Sequence, residues 1–122
     1  MNNRLRDIKQ AQREKLLFRE ITDLFFKATY DDPSLKGISI SRVELSSDKS
    51  ICCIYFYVDG GERDFQAQLD TLKLYKPSLR AALAKRIDKR YTPDLVFKFD
   101  SLFSKRQGVE AALNSLPKEE KQ

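Results

Sequence analysis

Apolar positions along this chain change their period repeatedly, and each change marks a new element. Leu17, Ile21, Leu24, Phe25 and Ala28 recur at helical spacing, and Ile8 and Ala11 extend the series weakly upstream. The spacing predicts a helix over Asn3–Thr29, with more polar early turns that fray or pack along one edge only. Tyr30–Gly37 contains an aspartate before a proline and then a glycine, the composition of a turn. In the next stretch Ile38, Ile40, Val43 and Leu45 are apolar, so a period of two slips phase after Ile40. A strand over Ile38–Leu45 absorbs that slip only with a bulge near Ser41–Arg42. Ser46–Ser50 reads as a turn and Ile51–Val58 as a second strand, forming a hairpin with the first. Cys52, Ile54, Phe56 and Val58 then face the core, and Cys53, Tyr55 and Tyr57 lie on the other face.

Asp59–Glu62 closes that strand, and Phe65, Leu69 and Leu72 predict a helix over Arg63–Leu74. Pro77 lacks the donor needed to continue it and suits the first position of a new helix. A break at Tyr75-Lys76 and a further helix over Pro77–Lys89, striped by Leu79, Leu83 and Ile87, follow. Tyr91–Asp94 stops this helix, and Leu95–Phe99 reads as a strand. Val109–Leu116 has a weak amphipathic pattern, and Pro117–Gln122 reads as a disordered tail. The order is α-β-β-α-kink-α-β. It predicts an α+β two-layer domain over residues 1–116, a three-stranded sheet with helices on one face. The long helical crossover permits a parallel final strand and hence a mixed sheet.

Composition narrows the function classes. At 122 residues the chain suits one domain with one core. No run approaches the roughly 18 apolar residues of a membrane span, and the polar start has no signal-peptide core, so a cytoplasmic location without membrane contact is expected. Histidine is absent, which removes Ser-His and Cys-His nucleophile arrangements and nearly every zinc site. Cys52 and Cys53 are adjacent on a strand, point to opposite faces and cannot jointly hold a metal. Without spaced acid/base pairs or a phosphate-binding glycine loop, neither enzyme nor cofactor is expected.

The net charge of +5 is modest, and its placement says more than its sum. Arg80, Lys85, Arg86 and Lys89 load the polar side of the predicted third helix, with Lys76 just before it and Arg90 just after, and several are one turn apart. These are the candidate RNA-binding residues, contacting phosphates without reading sequence. Internal uses compete: Arg80 with Asp94 or a helix end, Arg90 with terminal carbonyls. Arg6, Lys9 and Arg13 also share a helix face, offset by Asp7 and Glu14, and a solvated face is the favoured reading there. Tyr55 and Tyr57 are open to base stacking, to ordinary strand propensity or to cover by another segment.

Several pieces in order carry a family resemblance over roughly Glu20 to Asp100. They are Glu20-Ile21, Asp32-Pro33-Ser34-Leu35-Lys36-Gly37, Val43-Glu44-Leu45-Ser46-Ser47-Asp48, Leu79-Arg80, Arg90-Tyr91-Thr92-Pro93-Asp94-Leu95-Val96-Phe97 and Asp100. The chain resembles bacterial ribosome-binding factor A, as a divergent member, with a KH domain of the second type. That family lacks the Gly-x-x-Gly loop of ordinary KH domains and has a helix–kink–helix around an alanine and a glycine. Here Tyr75-Lys76-Pro77 stands at those positions. The resemblance implies a monomeric assembly factor that binds the small (30S) ribosomal subunit and its 16S rRNA late in maturation and assists 5′-end processing. It also implies a ribosome-maturation GTPase as partner. The alternatives are a KH-like protein-interaction module or a general RNA-binding protein.

Overall fold

Helix α1 covers Asn3–Asp31 and packs its C-terminal half on a sheet, because only that half carries a continuous apolar face. Leu17, Ile21 and Phe25 are buried, with Leu24 and Ala28 partly so, whereas Leu5 and Ile8 are exposed. These positions belong to a computed structural model that describes residues 3–103. The amphipathic stretch Val109–Leu116 and the tail Pro117–Gln122 lie outside the described residues.

Strand β1 (Ile38–Leu45) pairs antiparallel with β2 (Ile51–Val58), and β2 pairs parallel with β3 (Asp94–Phe99). The sheet is therefore mixed, in the order β1-β2-β3. The expected bulge is present: Ile40 opposes Phe56 and Arg42 opposes Tyr55, leaving Ser41 as the extra residue. That single residue brings Val43 and Leu45 back to the buried side, where an unbroken period of two would have turned them outward. Cys52, Ile54, Phe56 and Val58 are all buried. Phe56 is the centre of this layer, with edge-on contacts to Phe25 and Phe97 and a stacked contact to Phe65.

The expected break at Tyr75-Lys76 is corrected by the structure. One helix, α2, runs through Glu62–Arg86 with Pro77 inside it. A proline in a helix interior removes one backbone bond and costs about 3 kcal/mol against alanine. What outweighs it is phase. Phe65, Leu72, Leu79 and Leu83 form a single buried stripe that stays in register across Pro77, so both halves of the helix pack on one layer. Tyr75 adds a tie from the same stretch, its hydroxyl donating to Asp32 in the turn after α1. At the other end, Gly61 precedes the helix with φ of 86°, a left-handed backbone that glycine adopts without strain.

The C-terminal boundary also differs. The helix stops at Arg86 rather than Lys89: Ile87 is extended (φ −120°, ψ −177°), and Asp88 accepts the Arg90 N–H at 3.0 Å. That short-range bond competes with the helical ladder and starts a 3₁₀ turn over Lys89–Tyr91. Lys89 and Arg90 consequently do not continue the surface of the helix that bears Lys76, Arg80, Lys85 and Arg86.

Candidate nucleic-acid interface

The three arginines among the six candidates are tied into the fold. Arg80 donates from Nε to the Pro93 carbonyl at 3.0 Å and from Nη2 to the Thr92 carbonyl at 3.1 Å, with Asp94 at 3.4 Å. It therefore holds the chain at the entry to β3; the competing pair expected with Asp94 is present, and the bonds to the two carbonyls come in addition. Arg86 reaches from α2 to α1, with Nη1 2.7 Å from Asp23 and 3.0 Å from Glu20. Asp23 first, and then Glu20, raise the pKa of its guanidinium, while Arg86 and Lys27 hold the Asp23 carboxyl below its usual range. Arg90 is clamped by Asp88, at 3.2 Å from Nε and 2.9 Å from Nη2, and its guanidinium lies 5.4 Å from the Tyr91 ring centre. Among the described residues it caps no helix carbonyl.

The lysines are placed differently. Lys76 is half-buried, with its ammonium 5.1 Å from the centre of the Phe97 ring. Lys85 and Lys89 are exposed, and among the described residues neither is in an ion pair. A cation held by a carboxylate has its charge largely compensated locally; among the described residues none of the three lysines is so held, and of them Lys85 and Lys89 are the exposed ones.

The two open-face tyrosines are already in use. The Arg42 guanidinium sits 3.8 Å from the centre of the Tyr55 ring, and the Tyr55 hydroxyl donates to Glu44 at 3.0 Å. Burial, then hydrogen bonding, pushes the Tyr55 hydroxyl up to about 12. Tyr57 packs against Phe103 at 4.7 Å and Phe99 at 6.4 Å between ring centres. Cover by other groups, among the expected readings, is what the geometry shows for these rings.

An arrangement that sequence reasoning did not assemble lies beside them. Asp100 is 3% exposed, yet it carries three partners: Ser41 Oγ at 2.6 Å, Arg42 Nε at 3.0 Å and the Phe103 N–H at 3.0 Å. Burial by itself would raise the carboxyl pKa, but the bonds from Ser41, Phe103 and Arg42 prevail and lower it. The bulge that places Ser41 was legible as a phase slip; its partner in residue 100 was not. Asp48 closes the hairpin turn, accepting from Ser46 and twice from Ser50, and these bonds lower its pKa to about 2. Burial of Cys52 pushes its thiol up to about 12, so it is an inert core residue. Among the described residues no group of acidic or sulfur ligands is placed to hold a metal ion, and no helix is long and apolar enough to cross a membrane.

With this geometry established, three comparisons agree. A family model described as ribosome-binding factor A matches residues 9–113. Ribosome-binding factor A of Rhodopseudomonas palustris (strain BisB18) is 28% identical over 109 residues, spanning 88% of this chain and 79% of the relative. That of Brevibacillus brevis (strain 47) is 33% identical over 88 residues, spanning 72% of this chain and 73% of the relative. The crystal structure of ribosome-binding factor A from Thermus thermophilus superposes with a TM-score of 0.61 at 30% identity, covering 72% of this chain and 92% of that one. The α+β arrangement with a three-stranded mixed sheet is thus the KH-like fold of those structures.

Proposed function

Since the chain belongs to the ribosome-binding factor A family, we propose that it is a ribosome assembly factor acting late in maturation of the small (30S) subunit. In this reading it contacts 16S rRNA, assists processing of the rRNA 5′ end, and works in the cytoplasm as a monomer that binds rather than catalyses. A maturation GTPase is the partner that would promote its release. The observation that carries the reading is the family match over residues 9–113. Uncompensated lysines beside the end of α2 support it, because phosphate contact requires charge that the protein does not itself neutralise.

Within the basic segment Lys85 and Lys89 are the leading phosphate contacts and Lys76 a weaker one. Arg80, Arg86 and Arg90 act chiefly by positioning the segment. The test is co-sedimentation of the protein with free small subunits, with large subunits and with full ribosomes. Association with free small subunits is expected, and Lys85→Glu combined with Lys89→Glu should weaken it about tenfold. Each lost phosphate contact should also flatten the salt dependence by roughly 0.7 to 0.9 log units per tenfold salt. Absence of the unaltered protein from the small-subunit fraction would sink the reading. Full retention of the double variant would remove the two lysines from it.

A further inference from the structure

A second basic surface adjoins the C-terminal end of α2. A cleft of about 530 Å³ opens between the N-terminal half of α1, the β1–β2 turn and the segment that follows α2. Three cations line it, one helical turn apart on α1 and across from it on the hairpin: Lys9, Arg13 and Lys49. All three are exposed, and none is in an ion pair among the described residues. The turn that Asp48 closes holds Lys49 in the left-handed region, with φ of 64°. The cleft's other two charged residues are already matched, Arg86 by Asp23 and Glu20, and Asp88 by Arg90. Its net character is therefore cationic.

The cleft also has apolar lining. Leu16, Ile87 and Pro93 contribute to its lining, and Tyr91 stands at it 60% exposed. Tyr91 is held by the 3₁₀ turn that Asp88 starts, where its N–H donates to the Asp88 carbonyl at 2.9 Å. Arg90, clamped on the same aspartate, lies over the ring. An acidic peptide would use the cations and leave the ring idle. A nucleotide uses both, its phosphates meeting the cations and its base stacking on the ring. The volume is in the range of sites that take ligands of nucleotide size.

We propose that this cleft is a nucleotide subsite for single-stranded RNA, in which Tyr91 stacks one base and Lys9, Arg13 and Lys49 bind the flanking phosphates. The proposal rests on the RNA-binding reading above and adds to it a place where an unpaired base is held.

The probe is a short single-stranded oligoribonucleotide carrying one 2-aminopurine, whose fluorescence is quenched on stacking, added to the full chain. Quenching with saturable binding is expected. Tyr91→Ala should abolish the quench and weaken binding about tenfold or more, while Tyr91→Phe, which keeps the ring, stays within about threefold. Alanine at Lys9, Arg13 and Lys49 together should leave the quench at saturation but flatten the salt dependence, by roughly 0.7 log units per phosphate. The ring is exposed, so thermal unfolding should be nearly unchanged in Tyr91→Ala. If that variant does lose structure, Tyr91→Leu supplies the same comparison. Binding and quench indifferent to loss of the Tyr91 ring would overturn the subsite, as would displacement of the oligonucleotide by a polyglutamate peptide at equal charge. Small-subunit co-sedimentation, run alongside, separates the two claims. An unaltered protein that sediments with subunits but does not quench the probe refutes the cleft alone.

Discussion

Where Asp100, just past β3, reaches across β2 to the bulge of β1, the charged groups are consumed within the protein, whereas around the end of α2 and the neighbouring cleft many are left over. Asp100 is buried and fully engaged by Ser41, Arg42 and the Phe103 N–H, and Arg42 in turn reaches Glu44 and covers Tyr55. Lys85, Lys89, Lys9, Arg13 and Lys49 are exposed, with no ion pair among the described residues. The same residue chemistry serves two ends. Where a carboxylate is buried, its partners fix the end of a strand; where cations stay solvated, they contribute little to the fold and remain free for an external anion. Removing members of each group in turn should separate stability from binding.

The largest effect is expected at Asp100. Asp100→Ala removes a buried acceptor of three bonds, leaving Ser41 with the Tyr55 carbonyl alone and Arg42 with Glu44 and the Tyr55 ring, which costs about 2–3 kcal/mol in urea unfolding. The value stays below that of a wholly buried pair because Arg42 is 36% exposed. The pH dependence has a definite sign. The folded carboxyl has a lowered pKa, so its contribution is present above the unfolded value near 4 and is lost as pH falls through the folded one. Stability of the unaltered protein should decline below about pH 4, and Asp100→Asn should flatten that part of the acid limb. An Asp100→Ala protein as stable as the parent would break the contrast at its strongest point.

An intermediate effect is expected at Arg80, which belongs to the basic segment by sequence but to the first group by contact. Its fork spans the carbonyls of Thr92 and Pro93, and its side chain is 46% exposed. Arg80→Ala should destabilise by about 1 kcal/mol, and Arg80→Lys should restore little, since an ammonium cannot bridge both carbonyls. If lysine restores full stability, the charge matters and the fork does not.

The strands and the bulge were legible because a half-buried sheet imposes a strict period of two, and one slip between Ile40 and Val43 has a single local remedy. The course of α2 was misread for an equally physical reason. The rule for Pro77 is local, while the stripe of Phe65, Leu72, Leu79 and Leu83 that overrides it acts over several turns. The six basic candidates were legible as a composition, but not the division among them. Arg86 meets Glu20 and Asp23 from 66 and 63 residues away, and periodicity contains no information on pairs so distant. Nor did it show that the hairpin turn brings Lys49 to the same cleft as Lys9 and Arg13.

The smallest effect on stability, and the most discriminating one, belongs to Lys85 and Lys89. Among the described residues Lys89 holds the 3₁₀ turn through its backbone, whose carbonyl accepts the Thr92 N–H at 3.3 Å, so truncating its side chain should change unfolding by less than about 0.5 kcal/mol. Lys85 lies in the last turn of α2, where a cation offsets the exposed carbonyl end of the helix, and its loss should cost at most a few tenths more. Glutamine at both positions removes the charge while keeping much of each side chain's reach, so it isolates electrostatics from packing. The double variant should unfold like the parent in urea yet bind small subunits measurably less well, with a shallower salt dependence. Matched losses in stability and binding would mean that these lysines serve the fold after all, and the division between engaged and free charge would not hold at the one place where it predicts function.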